Sequence, residues 1–166
     1  MNGNMSPVDW AKRPLQKYAD FSGRAPRAEY WWFVLALIVA YVVVGIVEGI
    51  LGINTMIAGM YGPLSALLWL ATVLPSLAVG VRRLHDTDRS GWWLLLPIVP
   101  YCIAFALGGG AIASGSMAEM GTAGIFMILG LIGGIVLLVF MILPGTPGDN
   151  RFGPNPYGTK GPAAAA

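Results

Sequence analysis

The stretch RRLHDTDRSGWWLLL, residues 82–96, decides the fold because it is a short charged interruption between two long apolar segments. It contains three arginines, two aspartates and the only histidine of the chain, and then continues into two tryptophans and a run of leucines. Arginine and tryptophan collect in this way where helices enter a bilayer. The stretch therefore has two interpretations, a catalytic loop or a charged collar at a membrane surface.

The composition of the whole chain is that of a membrane protein. Of its 166 residues, 56% are hydrophobic and 11% are charged, which lies well outside the balance of soluble domains. Four segments are apolar over the roughly 20 residues that a helix needs to cross a bilayer: 30–51, 63–81, 92–112 and 123–143. Backbone in hydrocarbon must satisfy its own hydrogen bonds, so each segment is predicted to be a helix. The predicted fold class is an all-α membrane protein with four transmembrane helices.

The distribution of basic residues predicts the orientation. Five lysines and arginines precede the first span, three lie between the second and third, and two follow the fourth, whereas loops 52–62 and 113–122 contain none. Because basic loops stay inside, both termini and the middle loop are predicted to be cytoplasmic. Trp31 and Trp32 open the first span and Trp92 and Trp93 open the third, which predicts an aromatic belt at that interface. These pairs either mark an internal repeat or reflect one interface met twice.

Three regions are predicted: a cytoplasmic amphipathic N-terminal segment (1–29), the transmembrane bundle (30–143) and a Gly/Pro-rich cytoplasmic tail (144–166). Ser6 is expected to cap a short helix that begins at Pro7, and Pro14 is expected to kink or shorten it. This helix is expected to lie in the headgroup plane and to bind anionic lipid. Its predicted apolar face consists of Val8, Ala11, Leu15, Tyr18 and Ala19.

Charged side chains from three connecting stretches are predicted to meet at the cytoplasmic side, where they form a polar cap. Arginine side chains can hold carboxylates or lipid phosphates through paired hydrogen bonds. The cap is therefore either a network that holds the fold or a site for an anionic lipid head group or an unidentified membrane partner. The candidate residues of the polar cap are Arg24, Arg27, Glu29, Arg82, Arg83, His85, Asp86, Arg89, Asn150 and Arg151.

The sequence offers little for catalysis. His85 beside Asp86 suggests a general base with an orienting carboxylate, but catalysis also needs a nucleophile or metal and a pocket that excludes water. One histidine and one cysteine, Cys102 within an apolar segment, provide neither a metal cluster nor a redox pair. We therefore expect no catalytic site, no cofactor, no metal and no nucleic-acid partner.

A small-solute transporter or channel subunit that acts as an oligomer is the alternative function. Its path would be lined by Tyr41, Ser76 or Tyr101, because polar residues at membrane depth tend to be functional. Glu48, the one charged residue within the four spans, is expected near the outer end of its helix, within reach of water.

Three stretches carry a resemblance to a known family. FSGRAPRAEYWWFVL (21–35), RRLHDTDRSGWWLLLPIVP (82–100) and LPGTPGDNRFGPNPYG (143–158) resemble, in this order, the bacterial inner-membrane family of domain of unknown function 805, the YhaH-like proteins. The resemblance runs from about Trp10 to Gly158. It implies a small four-helix inner-membrane protein, and it implies no particular activity.

Overall fold

The computed structural model describes residues 5–53 and 62–157, and within these ranges the ordered elements are helical. The helices are α1 (Pro7–Gln16), α2 (Arg27–Leu51), α3 (Pro63–Asp86), a 3-10 turn (Gly91–Leu94), α4 (Leu95–Ser114) and α5 (Met117–Ile142). Four helical stretches are long and apolar enough to cross a membrane: α2, α3, the 3-10 turn together with α4, and α5. The predicted all-α class with four transmembrane helices is confirmed. Residues 1–4, loop residues 54–61 and tail residues 158–166 lie outside the described residues, so the predictions for them stay predictions.

The helices run past the predicted span ends. α3 continues through Asp86, so Arg82, Arg83 and Asp86 lie on its last turns, and the prediction that the loop begins at residue 82 was wrong. The outer loop predicted at 113–122 shrinks to Gly115 and Ser116, because Ser116 caps α5 by accepting a hydrogen bond from the Glu119 amide at 3.3 Å. Hydropathy marks where the solvent changes, whereas caps decide where a helix ends.

α1 begins as predicted but packs through a different face. The Ser6 hydroxyl accepts a hydrogen bond from the Asp9 amide at 3.2 Å, and the Asp9 carboxylate accepts one from the Ser6 amide at 3.1 Å. This capping box lowers the pKa of the Asp9 carboxyl, since hydrogen bonds from Ser6 favour its charged form. Trp10 and Pro14 are the buried residues of α1, and Pro14 lies within the helix two residues before its end.

Within α1, Val8 and Leu15 of the predicted apolar face do not pack on the protein. Val8 and Leu15 are exposed, at 57% and 48%. The helix instead packs through the side that carries Trp10, and this orientation places Arg13 of α1 against Glu29 of α2, where the two form an ion pair. A buried carboxylate needs such a partner, and this need explains why the Trp10 side of α1 faces the bundle.

The spans pack in two ways. Phe33 of α2 and Val79 of α3 form a small buried core with Ala25 from the segment before α2. α4 and α5 instead approach through small residues: a Cβ on Gly133 would lie 2.8 Å from the Leu96 carbonyl oxygen, and one on Gly130 would lie 2.8 Å from the Tyr101 ring. Close backbone approach of this kind stabilises helix pairs in lipid.

Glu48 connects α2 to α3 at the end opposite the charged residues. Its Oε1 accepts hydrogen bonds from the amides of Leu64 (2.6 Å) and Ser65 (2.9 Å), and its Oε2 accepts one from the Ser65 hydroxyl at 2.6 Å. The residue is 4% exposed, so the prediction that it reaches water was wrong. A carboxylate is favoured there because the first turn of a helix has free amides and a positive dipole end.

Candidate functional site

Several of the residues predicted for the polar cap contact one another at one end of the bundle. Three parts of the chain meet there: the segment before α2, the last turns of α3 and the segment that follows α5. We call this the charged end. The cap consists of two buried ion-pair clusters and a set of half-buried or exposed side chains around them.

Asp86 is the centre of the first cluster and is 1% exposed. Its Oδ1 lies 3.0 Å from Arg24 Nε, and its Oδ2 lies 2.5 Å from Arg83 Nη1, so one carboxylate binds two guanidinium groups. We call these three residues the Asp86 cluster. Its two arginines come from different parts of the chain, and the cluster therefore connects the segment before α2 to the end of α3.

The other nitrogens of the two arginines donate to backbone carbonyls. Arg24 donates to Gly148 O at 2.6 Å and to Thr146 O at 2.8 Å. Arg83 donates to Met141 O at 3.1 Å and also to Leu143 O. The Met141 and Leu143 carbonyls lie at the end of α5, where carbonyls have no helical donor, so Arg83 caps that helix. The Asp86 cluster therefore also fixes the start of the tail.

A glycine is required where the tail crosses Asp86. A Cβ on Gly145 would overlap the Asp86 carboxylate. The next residue, Thr146, donates its amide to the Asp86 carbonyl at 2.8 Å. The Pro-Gly pair that ends the last span thus allows the backbone to approach the buried carboxylate closely.

Glu29 and Arg82 form the second cluster, and both are 0% exposed. Arg82 Nη1 lies 2.8 Å from Glu29 Oε1, and Arg13 Nε of α1 lies 3.3 Å from Glu29 Oε2. Within the described residues, the Glu29 oxygens and both terminal nitrogens of Arg82 make no hydrogen bond of good geometry. Arg82 and Glu29 are close enough to attract each other by charge, but the N–H groups of Arg82 do not point at the Glu29 oxygens well enough to form hydrogen bonds.

Arg13 was not predicted to join the polar cap. Its position on the polar face of an amphipathic helix predicted contact with water or lipid. The available signal was an imbalance, because Glu29 is the one acidic residue between Asp20 and Glu48 and several basic residues surround it. That imbalance does not identify the partner, since the choice depends on which face of α1 packs.

His85 does not contact the Asp86 carboxylate, which is occupied by Arg24 and Arg83. Its Nδ1 lies 3.1 Å from Gly23 O, and its ring stacks on Phe152 with centroids 3.9 Å apart. The Asn150 side-chain amide donates to the His85 carbonyl at 2.9 Å. The general-base pairing suggested by the sequence is therefore not formed, and His85 instead joins the tail to α3.

The remaining predicted cap residues lie around the buried clusters. Arg151 pairs with Asp88 at 3.1 Å and both are exposed, while the Arg89 guanidinium lies 4.1 Å from the centroid of the Phe140 ring. Arg27 is exposed and donates from Nε to Leu143 O at 3.1 Å. The pKa of the Tyr157 hydroxyl is raised above its ordinary value, mainly because the group is partly buried and also because Asp86 is negatively charged.

The predicted aromatic belt is divided between two local structures. Trp31 and Trp32 lie on the first turns of α2, whereas Trp92 and Trp93 lie in the 3-10 turn before α4. All four are at least 36% exposed, and Trp93 also packs edge-on against Phe140. Their exposure is compatible with contact to lipid headgroups.

An apolar groove of about 400 Å³ lies beside the charged end, between α3 and the start of α4. Its lining includes Phe21, Leu77, Val81 and Trp92, with His85 and Ser90 as polar members. In residues 5–53 and 62–157, no three His, Cys, Asp or Glu side chains converge as metal ligands would.

Comparison with known proteins identifies relatives along most of the chain. A family model described as "Protein of unknown function (DUF805)" matches residues 18–154. "Inner membrane protein YhaH" of Escherichia coli strain K12 is 37% identical over 149 residues, which cover 90% of this chain and 97% of that protein. "Inner membrane protein YhaI" of the same strain is 38% identical over 149 residues, with coverage of 90% and 96%. No solved structure matches.

Proposed function

This chain belongs to the DUF805 family and is a multi-pass inner-membrane protein, and from that premise we propose that it is a structural or interaction protein whose polar cap offers a cytoplasmic site for anionic lipid. The cap has two parts with different roles. Its buried clusters hold the fold, and its exposed arginine at the start of α2 binds the lipid phosphate.

The structural part of the proposal rests on the Asp86 cluster. Arg24 and Arg83 are buried, and their donors are already occupied by Asp86 and by carbonyls of the tail. An arginine in this state has no free edge to offer a phosphate, and removal of one partner would leave a buried charge unpaired. Arg24 and Arg83 therefore hold the fold and do not bind the lipid.

Arg27 carries the lipid-binding part. It is exposed, and the one hydrogen bond that it makes within the described residues uses Nε, which leaves both terminal nitrogens for a phosphate. Trp31 follows one turn later on α2 and is also exposed. A guanidinium that binds phosphate through two donors, with an indole beside it at headgroup depth, suits an anionic phospholipid.

The test compares two exposed arginines in lipid nanodiscs that contain phosphatidylglycerol. Arg27→Gln should melt close to the wild type but retain less phosphatidylglycerol in native mass spectrometry. Arg151→Gln is the matched control, because the charge of Arg151 is already balanced by Asp88. Equal lipid retention by Arg27→Gln and wild type would refute the lipid site.

The transporter alternative has no observation in its favour that would make it a second proposal. The Ser76 hydroxyl donates to the Thr72 carbonyl of its own helix at 2.6 Å, and the Tyr101 ring packs close to Gly130. Two of the three residues suggested to line a path are thus engaged in packing or in bonds within a helix.

A further inference from the structure

α3 contains a break in its hydrogen bonding at Pro75. This proline is fully buried and lies inside the helix. Proline has no amide hydrogen, so the carbonyl four residues earlier, that of Ala71, loses its helical donor. Within hydrocarbon such a carbonyl needs another partner, because water cannot supply one.

The side chains nearest in sequence do not serve this carbonyl. Thr72 donates its hydroxyl to Leu68 O at 2.7 Å, and Ser76 donates to Thr72 O at 2.6 Å. Both hydroxyls therefore bond other turns of α3. The donor to Ala71 O comes from far away in the sequence: the Tyr18 hydroxyl, at 2.7 Å.

This bond lies deep in the span. Ala71 precedes the buried Arg82 by 11 positions of one continuous helix, which corresponds to roughly 16 Å at 1.5 Å per residue. A hydrocarbon core of about 30 Å places that carbonyl near its middle. The Tyr18 side chain therefore extends from the charged end towards the centre of the membrane.

Other contacts hold the same segment along α3. Phe21 lines the apolar groove together with Leu77 and Val81, which follow Pro75 along α3. Before Tyr18 in the sequence, Trp10 is buried and Arg13 pairs with the buried Glu29. The segment is thus attached at the charged end by ion pairing and burial, and at mid-span by one hydrogen bond.

We infer that residues 7–21 form an N-terminal strap that stabilises α3 at Pro75, with Tyr18 supplying the donor that Pro75 removes. When the strap is docked, the Ala71 carbonyl has a hydrogen-bond donor and α3 is stable around Pro75. When the strap moves away, that carbonyl is left unpaired in the membrane, so α3 must rearrange. A ligand or partner that displaces α1 from Glu29 would therefore change the conformation of α3.

A double-mutant cycle tests this inference through thermal unfolding in lipid nanodiscs. Tyr18→Phe should lower the melting temperature by about 2–4 °C, the shift expected for one hydrogen bond in a chain of this size. In a Pro75→Ala background the same change should have almost no effect, because the amide of the new residue donates to Ala71 O. Tyr41→Phe is the control, since the Tyr41 hydroxyl makes no hydrogen bond within the described residues.

Two results would overturn the strap. One is an equal decrease in melting temperature from Tyr18→Phe in both backgrounds. The other is an unchanged melting temperature for Tyr18→Phe in the wild-type background. If Pro75→Ala does not fold, photo-crosslinking from p-benzoylphenylalanine at position 18 decides the matter. The strap requires crosslinks to α3 between Leu67 and Leu74, mapped by mass spectrometry, and crosslinks confined to the charged end would exclude it.

Discussion

Asp86→Asn is the most direct test of the polar cap, because it keeps the shape of the side chain and removes its charge. In the folded protein this carboxylate is the counter-ion of both Arg24 and Arg83, whose side chains are 2% and 0% exposed. The amide of the variant can accept hydrogen bonds through one oxygen, but its nitrogen faces a guanidinium donor. The change thus leaves two buried cations without a carboxylate.

The expected loss of stability follows from this geometry. Removal of one partner of a buried ion pair costs about 3–5 kcal/mol. The lower half of that range applies here, because both arginines keep their bonds to the tail carbonyls and to the end of α5. For a chain of this length each kcal/mol lowers the melting temperature by about 2–4 °C. Asp86→Asn should therefore melt about 6–16 °C below the wild type.

The assay is thermal unfolding in nanodiscs, followed by intrinsic tryptophan fluorescence. Asp88→Asn is the matched control, because it removes the same charge from an ion pair whose two side chains are 46% and 62% exposed. Exposed pairs contribute at most about 1 kcal/mol, so this control should shift by no more than about 4 °C. Equal melting temperatures for the two variants would refute the argument that Asp86 holds the charged end together.

Two further predictions concern the opposite end of the bundle and the orientation. Glu48→Gln should lower the melting temperature, because a charged cap of α3 becomes a neutral one and the protein loses about 1 kcal/mol of stability. The control Glu119→Gln, at the exposed first turn of α5, should lower the melting temperature less. Equal shifts for the two variants would contradict the capping role of Glu48. In a Cys102→Ala background, Ser114→Cys should react with an impermeant thiol reagent added from the periplasm, and Asp88→Cys should not. The reverse labelling pattern would invert the proposed topology.

The four spans could be predicted from the sequence because the bilayer imposes one simple demand on every residue that it contacts. The ends of the helices at the charged side could not be predicted in this way, because a hydropathy pattern marks only the end of the apolar segment and not the end of the helix. Arg82, Arg83 and Asp86 are charged and yet helical, because each of them forms an ion pair while the backbone of α3 continues. The position of the three cap stretches on one side could be predicted for a related reason. Two spans separate each stretch from the next, and two spans bring the chain back to the side from which it started.

The pairings inside the cap were not predictable, because they depend on helix phase. Successive residues of an α-helix point about 100° apart. Arg82 and Arg83 are neighbours in sequence, but one pairs with Glu29 of α2 and the other with Asp86 three residues ahead. The same rotation separates His85 from the Asp86 carboxylate. Adjacency in sequence therefore suggested a His-Asp pair, whereas the helix places these two side chains in different environments.

The Pro75 break shows the same division between what the sequence can predict and what it cannot. From the proline alone, the i−4 rule identifies Ala71 as the carbonyl that needs a donor. The identity of the donor could not be deduced, because the hydroxyls close to it in sequence are those of Thr72 and Ser76, and both bond elsewhere. Tyr18 was assigned to an apolar face outside the spans. A helical break in a membrane thus predicts that a distant polar group must come to it, and the fold decides which one, here from the N-terminal strap.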